Sequence, residues 1–289
     1  MRAYVPSYQL VTPANLSEAL DLLAPDNNNW KPFAGGTDLM VLLEAGKLPH
    51  ENYLNIWNLS ELRGIDISDA AITLGALTTY TEVQNNLTLR EEFSMLCQAA
   101  SETGGLAIQN RGTLGGNIVN ASPAADSPPA LLVYDAELDL VSKSGSRKVS
   151  YSSFHTAYKQ MDIRPDELLR RIRLPRTSKP RTHYYRKVGT RKAQAISKVC
   201  FAGVGSMNGN QIDEVRIALG SVAPIPIRCS QTETALRHKP IDADTLTAAT
   251  AAMTKDISPI DDVRSTRNYR LRVALNLLKD FLEGLARTS

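Results

Sequence analysis

Two glycine-rich segments interrupt an otherwise regular series of strand-like and helix-like stretches, and they constrain the fold of this chain most. The first is Ala34-Gly35-Gly36-Thr37-Asp38, which follows a short extended stretch at residues 31–33 and precedes an apolar run at residues 39–43. The second is Arg111-Gly112-Thr113-Leu114-Gly115-Gly116-Asn117. Because glycine has no Cβ and adopts positive φ easily, each segment predicts a turn that leaves backbone N–H groups uncovered.

Uncovered amides of this kind suit an anionic ligand such as a pyrophosphate. The hydroxyls of Thr37 and Thr113 are further donors, and the helix expected after Met40 presents its positive end to the first turn. Neither segment is the GxGxxG fingerprint of dinucleotide-binding folds or a GxxxxGK[ST] phosphate loop. Glycine also occurs in tight turns that bind nothing, so a purely structural turn is the alternative for each segment.

The N-terminal part of the chain is predicted to mix helices and strands. Helical spacing of apolar residues predicts helices at residues 15–23, 39–43, 90–103 and 130–135, and a capped helix start at Thr79. Strand patterns occupy residues 31–33, 52–56, 71–77, 136–142 and 148–150. The alternation at residues 71–77 is typical of a half-buried edge strand.

The C-terminal part has a different pattern. Pro, Arg, Ser and Lys are concentrated at residues 175–180, which predicts a boundary there. Strands are then predicted at residues 183–187, 197–207 and 214–222, with Asn208-Gly209-Asn210 as a hairpin turn. The remainder is helical in pattern and ends in an amphipathic stripe from Tyr269 to Leu282. This part therefore predicts a small antiparallel sheet packed on helices.

Charge and hydropathy exclude two classes of partner. The chain has 289 residues with 33 Lys plus Arg, 30 Asp plus Glu and a formal net charge of +3, which is too balanced for a dedicated nucleic-acid binder. No stretch reaches the roughly 18 uninterrupted apolar residues of a membrane span, and the first residues lack the apolar core of a secretory signal. We therefore expect no nucleic-acid partner, no membrane span and a cytoplasmic location.

The sulfur and imidazole side chains do not form a metal-binding pattern. Cys97, Cys200 and Cys229 are odd in number and far apart, so we expect buried free thiols rather than disulfides, an iron–sulfur cluster or a zinc site. The four histidines are scattered, with no HExxH pair. Any redox chemistry must then come from a bound organic cofactor.

Three ordered motifs resemble one known family. They are Ala34-Gly35-Gly36-Thr37-Asp38-Leu39, Gly112-Thr113-Leu114-Gly115-Gly116-Asn117 and Asn120-Ala121-Ser122-Pro123-Ala124-Ala125-Asp126. All three closely resemble the FAD-binding subunit of molybdenum hydroxylases, the medium subunit of the xanthine dehydrogenase and carbon monoxide dehydrogenase type. The resemblance continues through Asn58-Leu59-Ser60-Glu61-Leu62-Arg63-Gly64-Ile65 and Ala223-Pro224-Ile225-Pro226-Ile227-Arg228. It covers almost the whole chain.

The resemblance implies an α+β fold. Residues 1–177 would be a two-lobed FAD-binding domain of the vanillyl-alcohol-oxidase (PCMH) type, and residues 178–289 a CO dehydrogenase flavoprotein C-terminal-type domain. It also implies FAD as the cofactor of this chain and a set of residues that bind it. That set is Lys31, Pro32, Phe33, Ala34, Gly35, Gly36, Thr37, Asp38, Leu39, Thr113, Leu114, Gly115, Gly116, Asn117, Asn120, Asp126, Leu169 and Lys187.

Each part of this set has an implied role. Residues 31–39 would wrap the FAD pyrophosphate from one lobe and residues 113–117 from the other. Asn120 and Asp126 would bind the nucleotide portion or hold the turn, while Leu169 would line the adenine or ribose side. Chemically, a carboxylate such as Asp126 can accept hydrogen bonds from ribose hydroxyls or ring N–H groups.

Lys187 is implied to approach the isoalloxazine from the second domain, where it would stabilise negative charge on the reduced ring. Two of these residues have structural alternatives. Asp126 could cap the helix that begins at Ser127, because Asp is a preferred helix N-cap. Lys187 lies in a basic run with Arg181, Arg186, Arg191 and Lys192, and could belong to a solvated face.

One position departs from the family pattern. In eukaryotic xanthine dehydrogenase relatives an aromatic residue at the position of Thr103 stacks on the flavin. This chain has threonine there, followed by Gly104-Gly105, so the stacking contact is in doubt. Tyr184 and Tyr185 are the candidates to replace it.

The resemblance implies that this chain transfers electrons and has no catalytic residue for the organic substrate. A partner subunit with two [2Fe–2S] clusters and a partner subunit with the molybdopterin cofactor would complete the complex, a dimer of heterotrimers, with NAD⁺, oxygen or another acceptor receiving the electrons. The complex would hydroxylate an N-heterocycle, xanthine-like, or an aldehyde. The alternatives are a freestanding FAD-dependent reductase of the same fold and a FAD-binding assembly protein without turnover.

Overall fold

A small parallel sheet forms the first lobe of the protein. The computed structural model describes residues 7–24, 29–177, 181–191 and 194–287. Strands β1 (Gln9–Val11), β2 (Lys31–Phe33) and β3 (Asn52–Asn55) lie in the order β1-β3-β2, all parallel, with helices α1 (Leu16–Leu23) and α2 (Leu39–Glu44). The Asn15 side chain caps α1 by accepting from the Glu18 amide at 3.0 Å. Both helices and strands β2 and β3 lie where the sequence predicts them, whereas no sequence pattern predicts β1.

The second lobe is an antiparallel sheet covered by helices. Five strands pair in the order β4 (Ile65–Ile67), β5 (Ala71–Gly75), β10 (Leu168–Pro175), β6 (Glu137–Ser142) and β7 (Gly145–Ser150). Its helices are α3 (Tyr80–Asn85), α4 (Leu87–Glu92), α5 (Ser94–Glu102), α6 (Leu106–Arg111), α7 (Leu114–Val119), α8 (Ser127–Val133) and α9 (Tyr151–Phe154). A two-stranded ribbon, β8 (His155–Ala157) with β9 (Gln160–Met161), completes the lobe.

Two sequence predictions for this lobe are wrong. Strand β5 is an interior strand between β4 and β10, with four of its five residues buried, because its outer face is also covered. The single helix expected at residues 90–103 is two helices, α4 and α5, which meet at Phe93. Phe93 has φ −129° and ψ 42°, and its buried ring packs against Tyr134, so tertiary packing breaks the helix there.

The C-terminal part confirms the predicted sheet on helices. Strands β11 (Thr182–Val188), β12 (Val199–Asn208), β13 (Gln211–Gly220) and β14 (Ile227–Arg228) form one antiparallel sheet. Asn208 pairs with Gln211, and Gly209 has φ +59° in the predicted two-residue hairpin turn. Three helices follow: α10 (Ser230–Leu236), α11 (Ala243–Asp256) and α12 (Arg267–Arg287).

This sheet faces both parts of the protein. Phe201 points toward α12 and belongs to a core with Phe281 and Leu278. The neighbouring residues Cys200 and Ala202 point the other way, into the core of the second lobe. Alternation along β12 therefore places one sheet face against each core. The predicted boundary at 177/178 adjoins residues 178–180, which lie outside the described residues, and it stays a prediction.

The thiols and the long helix differ in small ways from expectation. All three cysteines are free, but Cys97 is only half-buried, whereas Cys200 and Cys229 are buried. In the predicted stripe on α12, Leu278 and Phe281 are buried and Tyr269 is exposed. Among the described residues, no helix is long and apolar enough to span a membrane, and no cluster of three or more His, Cys, Asp or Glu could hold a metal ion.

Candidate functional site

The first glycine-rich segment lies at the carboxyl edge of the parallel sheet. Strands β2 and β3 end side by side, with Phe33 paired to Asn55, and the chain then turns through residues 34–38 into α2. Gly36 has φ +78°, and its carbonyl accepts from the Met40 amide at 2.9 Å. The carboxyl edge of parallel strands is where ligands bind in many α/β sheets.

The backbone amides of this turn are open. Within the described ranges, the N–H groups of residues 36–39 donate to no other residue, and residues 34–37 are half-buried. Open amides at the start of a helix attract an anion. The first segment therefore has the uncovered amides that the sequence predicts, and its binding of a pyrophosphate stays a prediction.

The second glycine-rich segment is built differently. It forms the first turn of α7, with the Thr113 side chain as its N-cap, accepting from the Gly116 amide at 3.1 Å. The amides of Leu114 and Gly115 donate to the carbonyls of Thr78 and Ala76, both at 2.9 Å. The Asn117 amide donates to the Thr113 carbonyl at 2.9 Å. The prediction of uncovered amides is wrong for this segment, because the loop that follows β5 and the first turn of α7 accept from the amides of residues 114–117.

The two segments touch each other through Gly35. A Cβ at Gly35 would lie 1.7 Å from the carbonyl oxygen of Arg111, so only glycine permits this approach. Gly115 is similarly close-packed, because its Cβ would lie 2.6 Å from the Ala76 carbonyl oxygen. The structure thus brings together the two parts of the predicted site, one with open amides and one that supports it.

Two predicted asparagines have partners within the chain. The Asn117 Oδ1 accepts from the Ser127 hydroxyl at 2.5 Å, which joins α7 to α8. The ammonium group of Lys159 donates to both the carbonyl oxygen and the Oδ1 of Asn120, at 2.5 and 2.9 Å. Lys159 thereby stabilises the carboxyl end of α7, where the helix dipole is negative.

A buried ionic network lies where the two domains meet. The Lys187 Nζ on β11 donates to Asp126 Oδ2 at 2.6 Å and to the Glu102 carbonyl oxygen at 2.7 Å. The Ser197 hydroxyl donates to the other carboxylate oxygen of Asp126 at 2.5 Å. The Lys187 and Asp126 side chains are 1% and 10% exposed. Asp126 comes from the first domain, and Lys187 and Ser197 come from the second.

The structure contradicts both structural alternatives, namely Asp126 as a helix cap and Lys187 on a solvated face. The Asp126 side chain does not cap α8, since it makes no capping hydrogen bond and turns to Lys187 instead. Lys187 does not belong to a solvated face, although its neighbour Arg186 is exposed. Lys192 of the same basic run lies outside the described residues. The alternation of β11 separates the buried Lys187 from the exposed Arg186.

Burial dominates the electrostatics of this network. It raises the pKa of Asp126, and the ammonium of Lys187 with the hydroxyl of Ser197 opposes that rise. Burial likewise raises the pKa of the Cys200 thiol and of the Tyr185 hydroxyl, which lie beside Asp126. Neither of these two groups ionises near neutral pH. The ion pair of the cluster is the one between Lys187 and Asp126.

Tyr184 and Tyr185, the candidates to replace an aromatic residue at Thr103, both make contacts within the protein. Tyr184 packs on Phe201 and Phe281 in the core of the second domain. Tyr185 is buried, and its hydroxyl donates to the Asp126 carbonyl oxygen at 3.1 Å. Both rings are therefore held by packing at positions that the sequence did not indicate.

Leu169, on β10, is 5% exposed and lies in the core of the second lobe. Its implied contact with the nucleotide stays a prediction.

Three residues near the site are not indicated by any sequence pattern. They are Ser197, which carries no local signal, and the stacked pair Trp57 and Arg111. Arg111 lies at the start of the second motif, but the predicted set of binding residues begins at Thr113.

Comparison with known proteins covers both domains. Residues 6–177 match the family described as FAD binding domain in molybdopterin dehydrogenase. Residues 183–285 match the family described as CO dehydrogenase flavoprotein C-terminal domain. Each of the two matches lies on one side of the basic stretch at residues 178–182, so the similarity is not confined to the glycine-rich motifs.

Individual relatives agree with this division. The chain is 35% identical over 271 residues to the xanthine dehydrogenase FAD-binding subunit of Escherichia coli O157:H7, covering 92% of this chain and 91% of that one. It is 31% identical to the glyceraldehyde dehydrogenase medium chain of Sulfolobus acidocaldarius, covering 97% and 99%. A solved carbon monoxide dehydrogenase from Hydrogenophaga pseudoflava, which lacks the Mo-pyranopterin moiety of its cofactor, superposes with TM-score 0.92 at 25% identity over 97% of each chain.

Proposed function

This chain belongs to the family of FAD-binding domains in molybdopterin dehydrogenases, and from that membership we propose that it is the electron-transfer subunit of a heterotrimeric molybdenum hydroxylase. Electrons come from [2Fe–2S] clusters in one partner subunit and leave to NAD⁺ or another acceptor. A second partner subunit holds the molybdopterin cofactor and hydroxylates an N-heterocycle, xanthine-like, or an aldehyde. Two such trimers form the complex, and it works in the cytoplasm.

The observation that carries this proposal is the row of open amides at residues 36–39. In the proposal, residues 31–39 hold the pyrophosphate of FAD and residues 113–117 back the turn from the other lobe. Asn120, Asp126 and Leu169 line the nucleotide side. The domains are residues 1–177, which contain this turn, and residues 178–289, which contribute Lys187.

When bound, FAD supplies the ability to accept electrons one at a time and to release them in pairs. The chain would position the cofactor and place a positive charge near it. Lys187 is held against Asp126 and the Glu102 carbonyl, so its ammonium has a fixed place between the domains. A fixed cation beside a flavin stabilises negative charge that forms on reduction. Asp126 keeps that cation in place at the cost of partly neutralising it.

The first test is cofactor content and dependence on partners. The purified chain is expected to contain one non-covalent FAD, released to the supernatant by acid precipitation, because no Cys or His lies in the two glycine-rich segments to form a flavin bond. Alone it should oxidise no purine, N-heterocycle or aldehyde, and it should gain that activity only with both partner subunits. A chain that cannot be reconstituted with FAD, or that turns over such substrates alone, contradicts the proposal.

The second test concerns Lys187. In the reconstituted complex, Lys187→Met should lower the two-electron flavin potential by about 30 to 65 mV, which corresponds to one charge-assisted contact of about 1.5 to 3 kcal/mol. Asp126→Asn should shift the potential in the opposite direction, because it removes the negative partner. Arg186→Met, an exposed neighbour on the same strand, is the control. Equal flavin potentials in all three variants and the wild type would show that Lys187 does not act on the flavin.

A further inference from the structure

The indole ring of Trp57 carries two arginine guanidinium groups. The Cζ atom of Arg111 lies 3.8 Å from the ring centroid, and that of Arg63 lies 4.5 Å from it. Arg63 Nη2 also donates to the Trp57 carbonyl oxygen at 2.6 Å. Both distances are within the range of about 6 Å for cation–π contacts. We call this group of three side chains the Trp57 stack.

The Trp57 stack lies at the same sheet edge as the open amides. Trp57 follows β3 directly, and its amide donates to Asn55 Oδ1 at 3.2 Å. Asn55 is paired with Phe33, the last residue before the first glycine-rich segment. From the other lobe, Arg111 Nε donates to the Gly35 carbonyl oxygen at 3.4 Å. Arg111 therefore reaches the turn whose next four amides are open.

The positive charge of the Trp57 stack has no counter-ion among the described residues. In the part of the chain that the structure describes, neither Arg63 nor Arg111 forms an ion pair with a carboxylate. Other arginines of the protein do, for example Arg147 with Glu167 at 2.7 Å and Arg176 with Glu92 at 2.6 Å. Two like charges on one ring repel each other, and an anion beside them would relieve that repulsion.

We infer that Arg111 binds the diphosphate of the cofactor and that Trp57 is the positioning residue that holds its guanidinium there. The guanidinium is planar and presents paired N–H donors, a shape that suits phosphate oxygens. Stacking on the indole removes rotational freedom from a long and exposed side chain before the ligand arrives. Arg63 completes the stack from its hydrogen bond to the Trp57 carbonyl.

The inference rests on the proposed FAD site and adds a charged contact to it. The open amides of residues 36–39 offer dipoles but no full positive charge. A diphosphate carries negative charge on both phosphoryl groups, so a cation beside the turn increases affinity where neutral donors alone are weak. The residue sits in the second lobe and its target in the first, so binding would also join the two lobes.

The experiment measures binding to the full chain after removal of FAD. Titrations with FAD, ADP and adenosine compare the wild type with Arg111→Gln, Trp57→Leu and Trp57→Phe. We expect Arg111→Gln to weaken FAD and ADP by about 10- to 100-fold, as for loss of one charge-assisted hydrogen bond, and to leave adenosine unchanged. Raising the salt concentration should weaken FAD binding less in Arg111→Gln than in the wild type, because a screened charge pair is gone.

Trp57→Leu should lose part of the same affinity, and Trp57→Phe, which keeps an aromatic face, should recover most of it. Arg237→Gln, an exposed arginine in the C-terminal domain, removes one charge without touching the site and serves as the matched control. Unchanged ADP affinity in Arg111→Gln, or equal weakening of ADP and adenosine, would overturn the inference while the FAD site stands. A wild-type chain that binds neither FAD nor ADP would overturn the proposed function as well.

Discussion

The two glycine-rich segments have similar compositions and opposite uses of their backbone. In the first segment the amides of residues 36–39 are free of partners among the described residues. In the second segment the amides of residues 114–117 all donate within the chain, to Thr78, to Ala76, to the Thr113 side chain and to the Thr113 carbonyl. The first is available to a ligand, and the second is part of the scaffold.

A glycine can allow close packing against another part of the backbone, or it can leave backbone amides open to a ligand. Composition alone does not distinguish these two roles. Gly36 adopts positive φ in a turn whose amides donate to no described residue. Gly115 lies in a helix, and its lack of a side chain admits the Ala76 carbonyl. Gly35 serves both segments, since it lets the first turn rest on the Arg111 carbonyl.

The largest effect is expected from Gly35→Ala. The added methyl group would lie 1.7 Å from the Arg111 carbonyl oxygen, so the two segments must separate. Because the turn with the open amides loses its support, we expect FAD affinity to fall by about 10- to 100-fold, or roughly 1.4 to 2.7 kcal/mol, in a fluorescence titration. Gly284→Ala, on α12 where a Cβ meets nothing, is the control and should bind normally. Normal FAD affinity in Gly35→Ala would show that the two segments need not touch.

A smaller effect of a different kind is expected from Gly115→Ala. Its Cβ would meet the buried Ala76 carbonyl oxygen at 2.6 Å, a case of overpacking that costs about 1 to 3 kcal/mol. Urea unfolding of the FAD-free chain should register that loss in the free energy of unfolding. The folded variant should keep FAD affinity within about tenfold, since its amides are not the binding donors. Wild-type stability with abolished binding would reverse the roles assigned to the two segments.

The helix cap of the second segment gives a still smaller stability change. Thr113→Ala removes the side chain that accepts from the Gly116 amide, which should cost about 1 kcal/mol in the free energy of unfolding. Thr113→Ser keeps the hydroxyl and should retain most of the stability. Denaturation of both variants side by side measures the difference. Equal stability of the alanine and serine variants would argue that the cap contributes nothing.

The smallest effect is a change in hydrogen exchange when FAD is removed and restored. The amides of residues 36–39 should exchange fast without FAD and slow down when it binds, because no described residue accepts from them and the bound diphosphate would. The amides of residues 114–117 should be protected in both states by their bonds within the chain. Hydrogen–deuterium exchange followed by mass spectrometry can compare the two peptides in one sample. Equal slowing of both segments would contradict the comparison.

Much of the fold follows from local patterns. Asn15 and Thr79 cap helices because their short polar side chains bond amides three residues on. The Gly209-Asn210 turn fixes the hairpin of β12 and β13, and strand β2 lies at the short extended stretch that the sequence predicts before the first glycine-rich segment. The three motifs were sufficient to indicate the family and its cofactor, because their residue order is specific.

The tertiary structure decided the rest, because contacts between residues distant in sequence set burial, pairing and charge state. The carbonyls of Ala76 and Thr78 accept hydrogen bonds from the amides of Gly115 and Leu114. No pattern within residues 111–117 predicts these hydrogen bonds. Strand β5 is interior because β4 and β10 flank it. Lys187 is buried because Asp126, 61 positions away, neutralises its charge. A local pattern specifies which backbone shape forms, whereas which donors remain free depends on every acceptor that the folded chain brings within reach.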